Sequence, residues 1–187
     1  MVAQRMTFKE MLNVSGVTMV ILWAAVLIAY FLPINQFGIW PREWWGLTGI
    51  PLAPFLHANV GHLLANMSAL LFLGLALMLL EGRKAVLVLL TIVLLGGLGT
   101  WLIGRGGVPH VGASGVIFGL MGYLIASGWY RAKFAYVVVA LLVLFFYGGA
   151  LWGVLPQSPC VSWEGHLCGL LAGVGDAKWR AGPAKAA

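Results

Sequence analysis

Charge is what this chain has least of. Only 9% of its 187 residues are charged, and five are Asp or Glu. A soluble domain carries about 25% charged residues, so a soluble domain of ordinary make-up is excluded. The shortage of acids also leaves a cation without mid-span carboxylate partners. That weighs against a metal site or transport pathway built on His57, His62, His110 and His166. Cysteine is equally scarce: Cys160 and Cys168 lack metal-ligand spacing and read as free, packed thiols. There is no 20–50-residue repeat, low-complexity tract or linker, so residues 1–187 read as a single integral membrane domain. A cleavable signal peptide is missing too. The apolar run after Lys9 and Glu10 is too long for an h-region and reads as a spanning helix.

What the chain has in excess is apolar surface, with 61% hydrophobic residues. A net charge of +6 would suit nucleic acid, but the aromatics stand in apolar runs rather than between basic residues. Nucleic acid is therefore rejected as a partner, and the lipid bilayer takes its place. The hydropathy pattern predicts an all-α membrane protein with six spans: 14–32, 60–80, 85–104, 114–130, 134–155 and 162–179. The weakest is the last, kept because Gly165, Gly169 and Gly173 recur every four residues and give one helix face a flat strip. The fourth is about 25 Å long at 1.5 Å per residue, short for a ~30 Å core, so one end starts below the surface. Ser114 stands at that end. Residues 34–56, with Trp40-Pro41-Arg42-Glu43-Trp44-Trp45, carry interface chemistry and read as an anchor or as an interfacial structure bracing a site.

Gly112-Ala113-Ser114-Gly115 places a serine between two glycines at the start of an apolar helix. The helix N-terminus supplies free N–H groups suited to an oxyanion. Taken alone, this stretch fits small-residue helix packing through Gly115 and Gly119 better than it fits catalysis, and the rest of the chain reverses that reading. His166 follows Gly165 near the start of the last span, and an imidazole is the base that a weak serine nucleophile needs. Gly165 and Gly169 would bring that helix against Gly115 and Gly119. His62 and Asn66 are spaced i, i+4, share a helix face, and can donate to one oxyanion or act as interhelical hydrogen-bond glue. His57 precedes that helix and reads as a brace. Glu164 falls on a different face from His166, which makes the arrangement a dyad rather than a triad.

Together, His57-x4-His62-Leu-x2-Asn66-Met, Gly112-x-Ser114-Gly and Gly165-His166-x2-Gly169-x3-Gly173 resemble the rhomboid family of intramembrane serine proteases. The resemblance runs from about residue 11 to 179. It implies a six-helix bundle around a water-filled cavity opening outward, gated by the fifth helix or the loop after it. It implies Ser114 as nucleophile, His166 as general base, and His62 and Asn66 in the oxyanion hole. Other membrane proteins, single-pass ones included, are the implied substrates, with no metal and no cofactor. Trp40-Pro41-Arg42 resembles the family's first-loop Trp-Arg element with an inserted proline. Phe118 stands where many members carry tyrosine. A catalytically dead binder of membrane clients is the rival, and the intact serine and histidine argue against it.

The charge pattern also predicts topology. With six spans, Arg5, Lys9, Arg83, Lys84, Arg131, Lys133, Lys178, Arg180 and Lys185 fall on one side, and only Arg42 and Arg105 on the other. The positive-inside rule then places both termini in the cytoplasm, in the plasma or inner cell membrane. A reporter fused after Lys185 is expected to read as cytoplasmic. A signal from the far side of the membrane would reject the six-span layout.

Overall fold

A computed structural model describes residues 5–156, 158 and 161–182. Cys160 and Lys185, invoked above, lie outside the described residues. The described chain is helical, with no strand among these residues beyond a lone antiparallel bridge between Ile39 and His110.

Helix α1 (Phe8–Phe31) starts six residues before the expected span. The reason is a capping box: Glu10 N–H donates to Thr7 Oγ1 at 3.2 Å, and Thr7 N–H donates to the Glu10 carboxylate at 2.7 Å. Helix α2 (Val60–Glu81) is capped by Asn59, which accepts from His62 N–H. Helix α3 runs through Ala85–Thr91, a π-helical turn at Ile92–Gly96, and Gly97–Ile103. Helix α4 (Ser114–Arg131) has no side-chain cap at its start. Helix α5 (Phe134–Tyr147) tightens into a 3₁₀ stretch, Gly148–Val154, where the sequence predicts continued α-helix. Gly148 and Gly149 are poor helix formers, and the change begins there. Helix α6 (Trp163–Ala181) is capped by Ser162.

By length and composition, three stretches among the described residues can cross a membrane: Phe8–Phe31, Val60–Ile103 and Phe134–Val154. Only 11% of the α1 window is buried, yet it is apolar all round. Large apolar side chains such as Phe31, Leu27 and Val20 face outward, as lipid-facing residues do. Helices α4 and α6 are less apolar in composition: glycines, serines and Arg131 dilute α4, and Glu164, Asp176, Lys178 and Arg180 charge α6. Helix α4 is the most enclosed element, with Ile117, Leu120, Met121, Tyr123 and Leu124 in the main core beside Leu73, Leu77, Val88 and Ile92. A smaller cluster, Leu22 and Val26 against Leu63, seats α1 on α2.

Backbone approaches backbone where α4 meets α6. A Cβ on Gly169 would strike the Gly115 carbonyl, and one on Gly173 the Gly119 carbonyl. One on Gly122 would lie 2.5 Å from the Leu170 oxygen. The π-turn of α3 closes the third side, where a Cβ on Gly96 would come within 3.1 Å of the Gly169 Cα. Between helices in lipid, this packing replaces the hydrophobic drive that water would supply.

Gly169→Ala and Gly173→Ala are therefore expected to lower the thermal midpoint in detergent, by an overpacking cost of about 1–3 kcal/mol each. Gly175 has open space around it. Gly175→Ala should be neutral or slightly stabilising, since alanine is the better helix former. Equal effects at Gly169 and Gly175 would reject the backbone-contact account.

Candidate active site

Ser114 is the first residue of α4, and the chain reaches it through a tight turn. Gly112 sits at φ +119°, a conformation closed to most side chains. A Cβ there would also lie 2.7 Å from the His62 ring and 3.7 Å from Asn66 Nδ2. The two α2 residues thus press directly on the turn before Ser114. The turn is held from below as well. Gly112 N–H donates to the Ala53 carbonyl at 2.9 Å, and Ala113 N–H reaches His57 Nε2 at 3.5 Å.

His57 is 1% exposed, donates from Nδ1 to the Phe55 carbonyl at 3.3 Å and sits edge-on to His62. Its pKa is pushed down to about 4, chiefly by burial and then by His62. The ring stays neutral, so Nε2 remains an acceptor for the turn.

His166 enters from the first turn of α6. Its Nδ1 donates to the Gly153 carbonyl at 2.9 Å, so the neutral ring keeps Nε2 as its acceptor. Phe118 stacks on the ring face, with centroids 4.1 Å apart and planes 5° from parallel. Glu164 does not orient His166: it pairs with Arg105 at 3.0 Å and is 1% exposed.

Ser114, His166, His62, Asn66, Arg105 and His110 line one cavity of about 770 Å³. Among the described residues no hydrogen bond joins Ser114 to His166; the two share the cavity without touching through a proton. Resting sites often tighten only on binding substrate. Asn66 is 7% exposed and its buried Nδ2 has no partner. An unpaired buried donor costs roughly 1–3 kcal/mol, and such costs gather at functional sites. No three His, Cys, Asp or Glu side chains among the described residues group as a metal site would require. Cys168 is a buried free thiol.

Three contributors escape a reading of the sequence. Gly153 orients His166 through its carbonyl, which no side-chain pattern reveals. Ser162 caps α6 and also touches His110 Nδ1, while His110 Nε2 lies 3.0 Å from the Arg105 carbonyl. Arg105 N–H bonds the Glu164 carboxylate at 3.2 Å. The signal available was the Ser162-x-Glu164 start of α6 together with Arg105 and His110 in the loop before α4. In the first loop, Arg42 donates to the Leu102 and Gly104 carbonyls at 3.1 and 2.8 Å, and Trp101 donates to the Glu43 carbonyl at 2.8 Å. The loop braces the end of α3, while Trp44 and Trp45 stay exposed.

A family model of the rhomboid domain matches residues 41–177. A Mycobacterium tuberculosis protein named only as uncharacterised is 46% identical over 145 residues, covering 73% of this chain and 60% of that protein. An Acanthamoeba polyphaga mimivirus protein named for the rhomboid family is 30% identical over 164 residues, covering 84% of this chain and 86% of its own. A Bacillus subtilis protein whose name carries the words rhomboid protease is 37% identical over 114 residues, covering 60% of this chain and 53% of its own. The chain belongs to the rhomboid family. It spans about 60% of the length of the mycobacterial relatives it matches.

His57 gives this site a pH signature. Its folded pKa lies below the ordinary value of 6.5. As pH falls, the unfolded chain takes up the proton first, so the stability tied to neutral His57 is intact above about pH 6.5 and fades toward pH 4. The thermal midpoint is expected to drop across that window. His57→Ala should start lower and fall less steeply there. A parallel pH profile for the two proteins would show that His57 does not hold the turn.

Proposed function

We propose that this chain is an intramembrane serine endopeptidase that cleaves transmembrane segments of other membrane proteins, or the residues beside them. One observation carries the reading: Ser114, His166, His62 and Asn66 meet around one cavity at the uncapped start of α4. In this mechanism Ser114 Oγ attacks the scissile carbonyl carbon while His166 Nε2 takes its proton. The carbonyl oxygen becomes an oxyanion, held by Asn66 Nδ2, His62 and the Ser114 N–H. Collapse breaks the C–N bond, and the imidazolium returns its proton to the departing amine. Water then hydrolyses the acyl-enzyme with His166 as base again.

The Gly153 carbonyl takes the place of a triad carboxylate, fixing the tautomer without adding charge. Gly115, Gly165 and Gly169 support the site by allowing the approach of α6, and Gly112 by making the turn. No metal or cofactor enters this mechanism.

On this reading residues 1–187 form one integral membrane domain with six spans, both termini in the cytoplasm, in the plasma or inner cell membrane. Its rhomboid-like core runs from about residue 11 to 179. The site then lies below the outer surface. Helix α5 and the 3₁₀ stretch after it form the gate; the exposed Phe145, Phe146 and Trp152 on them suit a face that meets a substrate helix. A regular helix hides its carbonyls, so substrates with Gly or Pro near the outer boundary are favoured.

The test is incubation of the detergent-purified chain with a panel of single-pass membrane segments. Ser114→Ala and His166→Ala should each abolish cleavage and Ser114-dependent fluorophosphonate labelling. Asn66→Ala and His62→Ala should be slowed about 10²–10³-fold in kcat, with KM little changed. Substantial turnover by Ser114→Ala would mean another nucleophile and reject the mechanism.

A further inference from the structure

The end of the bundle opposite Ser114 carries a second set of polar groups that the proteolytic mechanism does not use. The C-terminal ends of α2, α4 and α6 and the turn Gly82–Lys84 converge there. They enclose a recess of about 250 Å³ lined by Glu81, Lys84, Arg131, Trp179 and Arg180. We propose that this recess binds a phosphate-bearing anion, either the headgroup of an anionic phospholipid or free phosphate.

The cations are unequal. Arg131 is fixed as a wall. It pairs with Glu81 at 2.8 Å, donates to the Tyr136 and Tyr123 hydroxyls at 2.7 and 3.0 Å, and lies 4.7 Å over the Tyr136 ring. Arg180 is held by one nitrogen only. Its Nε bonds Asp176 at 2.7 Å, and its guanidinium rests 5.5 Å from the Trp179 ring centre. Its Nη groups have no protein partner among the described residues, although its side chain is only 15% exposed. A guanidinium held rigid with unspent, forked donors is the group that recognises phosphate. Lys84 is exposed and in no ion pair among the described residues. It supplies a mobile third charge.

The two carboxylates here are already committed. Glu81 faces Arg131 and Asp176 faces Arg180, with side chains 5% and 0% exposed. Their charge is turned inward, and Lys84 is left in excess. Two further observations point to a ligand at headgroup depth. Trp129 and Trp179, one or two residues before the Arg131 and Arg180 wall, are 83% and 75% exposed. Tryptophan in that setting marks the membrane–water interface, and basic pockets between helices at that level hold lipid headgroups.

The experiment is thermal unfolding of the full chain in detergent with added phosphatidylglycerol, phosphatidylcholine or inorganic phosphate. The proteins are wild type, Lys84→Gln, Lys84→Arg and the double variant Lys84→Gln/Arg180→Gln. At ten times Kd, phosphatidylglycerol should raise the wild-type midpoint by about 3–6 °C. The rise should shrink in Lys84→Gln, return in Lys84→Arg and vanish in the double variant. A rise with phosphatidylglycerol alone identifies the lipid headgroup; the same rise with inorganic phosphate identifies the free anion. Native mass spectrometry should show phosphatidylglycerol retained by wild type and lost from the double variant. Equal shifts with phosphatidylcholine and phosphatidylglycerol, or a full shift in the double variant, would overturn the site.

Discussion

Everything at the candidate site depends on the contact of backbone with backbone between α4 and α6. Gly115 and Gly119 on one helix meet Gly165, Gly169 and Gly173 on the other closely enough that carbonyl oxygens occupy the space of side chains. Ser114 precedes the first of these glycines, and His166 follows the first on the partner helix. The register that seats the glycines therefore also delivers both side chains to one cavity. Phe118, one turn into α4, stacks on His166 because the two helices run so close.

A glycine strip has a weakness, and the structure answers it. Glycines repeating every four residues meet again after a slip of about one turn, so the strip does not choose its own register. The choice is made at the start of α6. Glu164 pairs with Arg105, and Ser162 caps the helix while touching His110. All of these tie α6 to the loop between α3 and α4. Glu164 is almost wholly buried, and leaving a buried charge without its partner costs roughly 3–5 kcal/mol. Sliding the helix would break that pair. The carboxylate nearest His166 thus serves position, while a backbone carbonyl serves orientation.

This division explains what the sequence makes legible. Ser114, His166, His62 and Asn66 stand out because ionisable and polar groups at helix starts are rare in an apolar chain. The glycine strip stands out because its period equals the helical repeat. The resemblance to the rhomboid family, carried by those same motifs, is matched by the family model over 41–177. The Gly153 carbonyl could not be foreseen, since every residue has a carbonyl and only the fold selects one. The 3₁₀ stretch that presents it interrupts what hydropathy reads as a continuous helix. The start of α1 was missed for a smaller reason: the Thr7–Glu10 capping box is local, and charge alone marks those residues as lying outside the span. The pairing of Glu81 with Arg131 was hidden because the two sit fifty residues apart and belong to neighbouring helices.

Among the described residues, the two longest stretches of largely irregular backbone, 32–59 with its short 3₁₀ and α turns and 104–113, both belong to the end of the bundle that carries Ser114. Such backbone needs partners for its N–H and C=O groups wherever water is scarce. The two segments supply them to each other: Ile39 and His110 exchange backbone bonds at 3.0 and 2.8 Å, and Ala53 accepts from Gly112. Arg42, itself in a left-handed conformation at φ 63°, occupies the carbonyls at the end of α3. Beside the turn that this exchange holds, the buried Asn66 amide donor has no partner, and α4 starts without a side-chain cap. Loops paired in this way can hold the turn before α4 in place and leave donors beside it open. In the proposed mechanism those donors are the ones that meet a carbonyl oxygen acquiring negative charge.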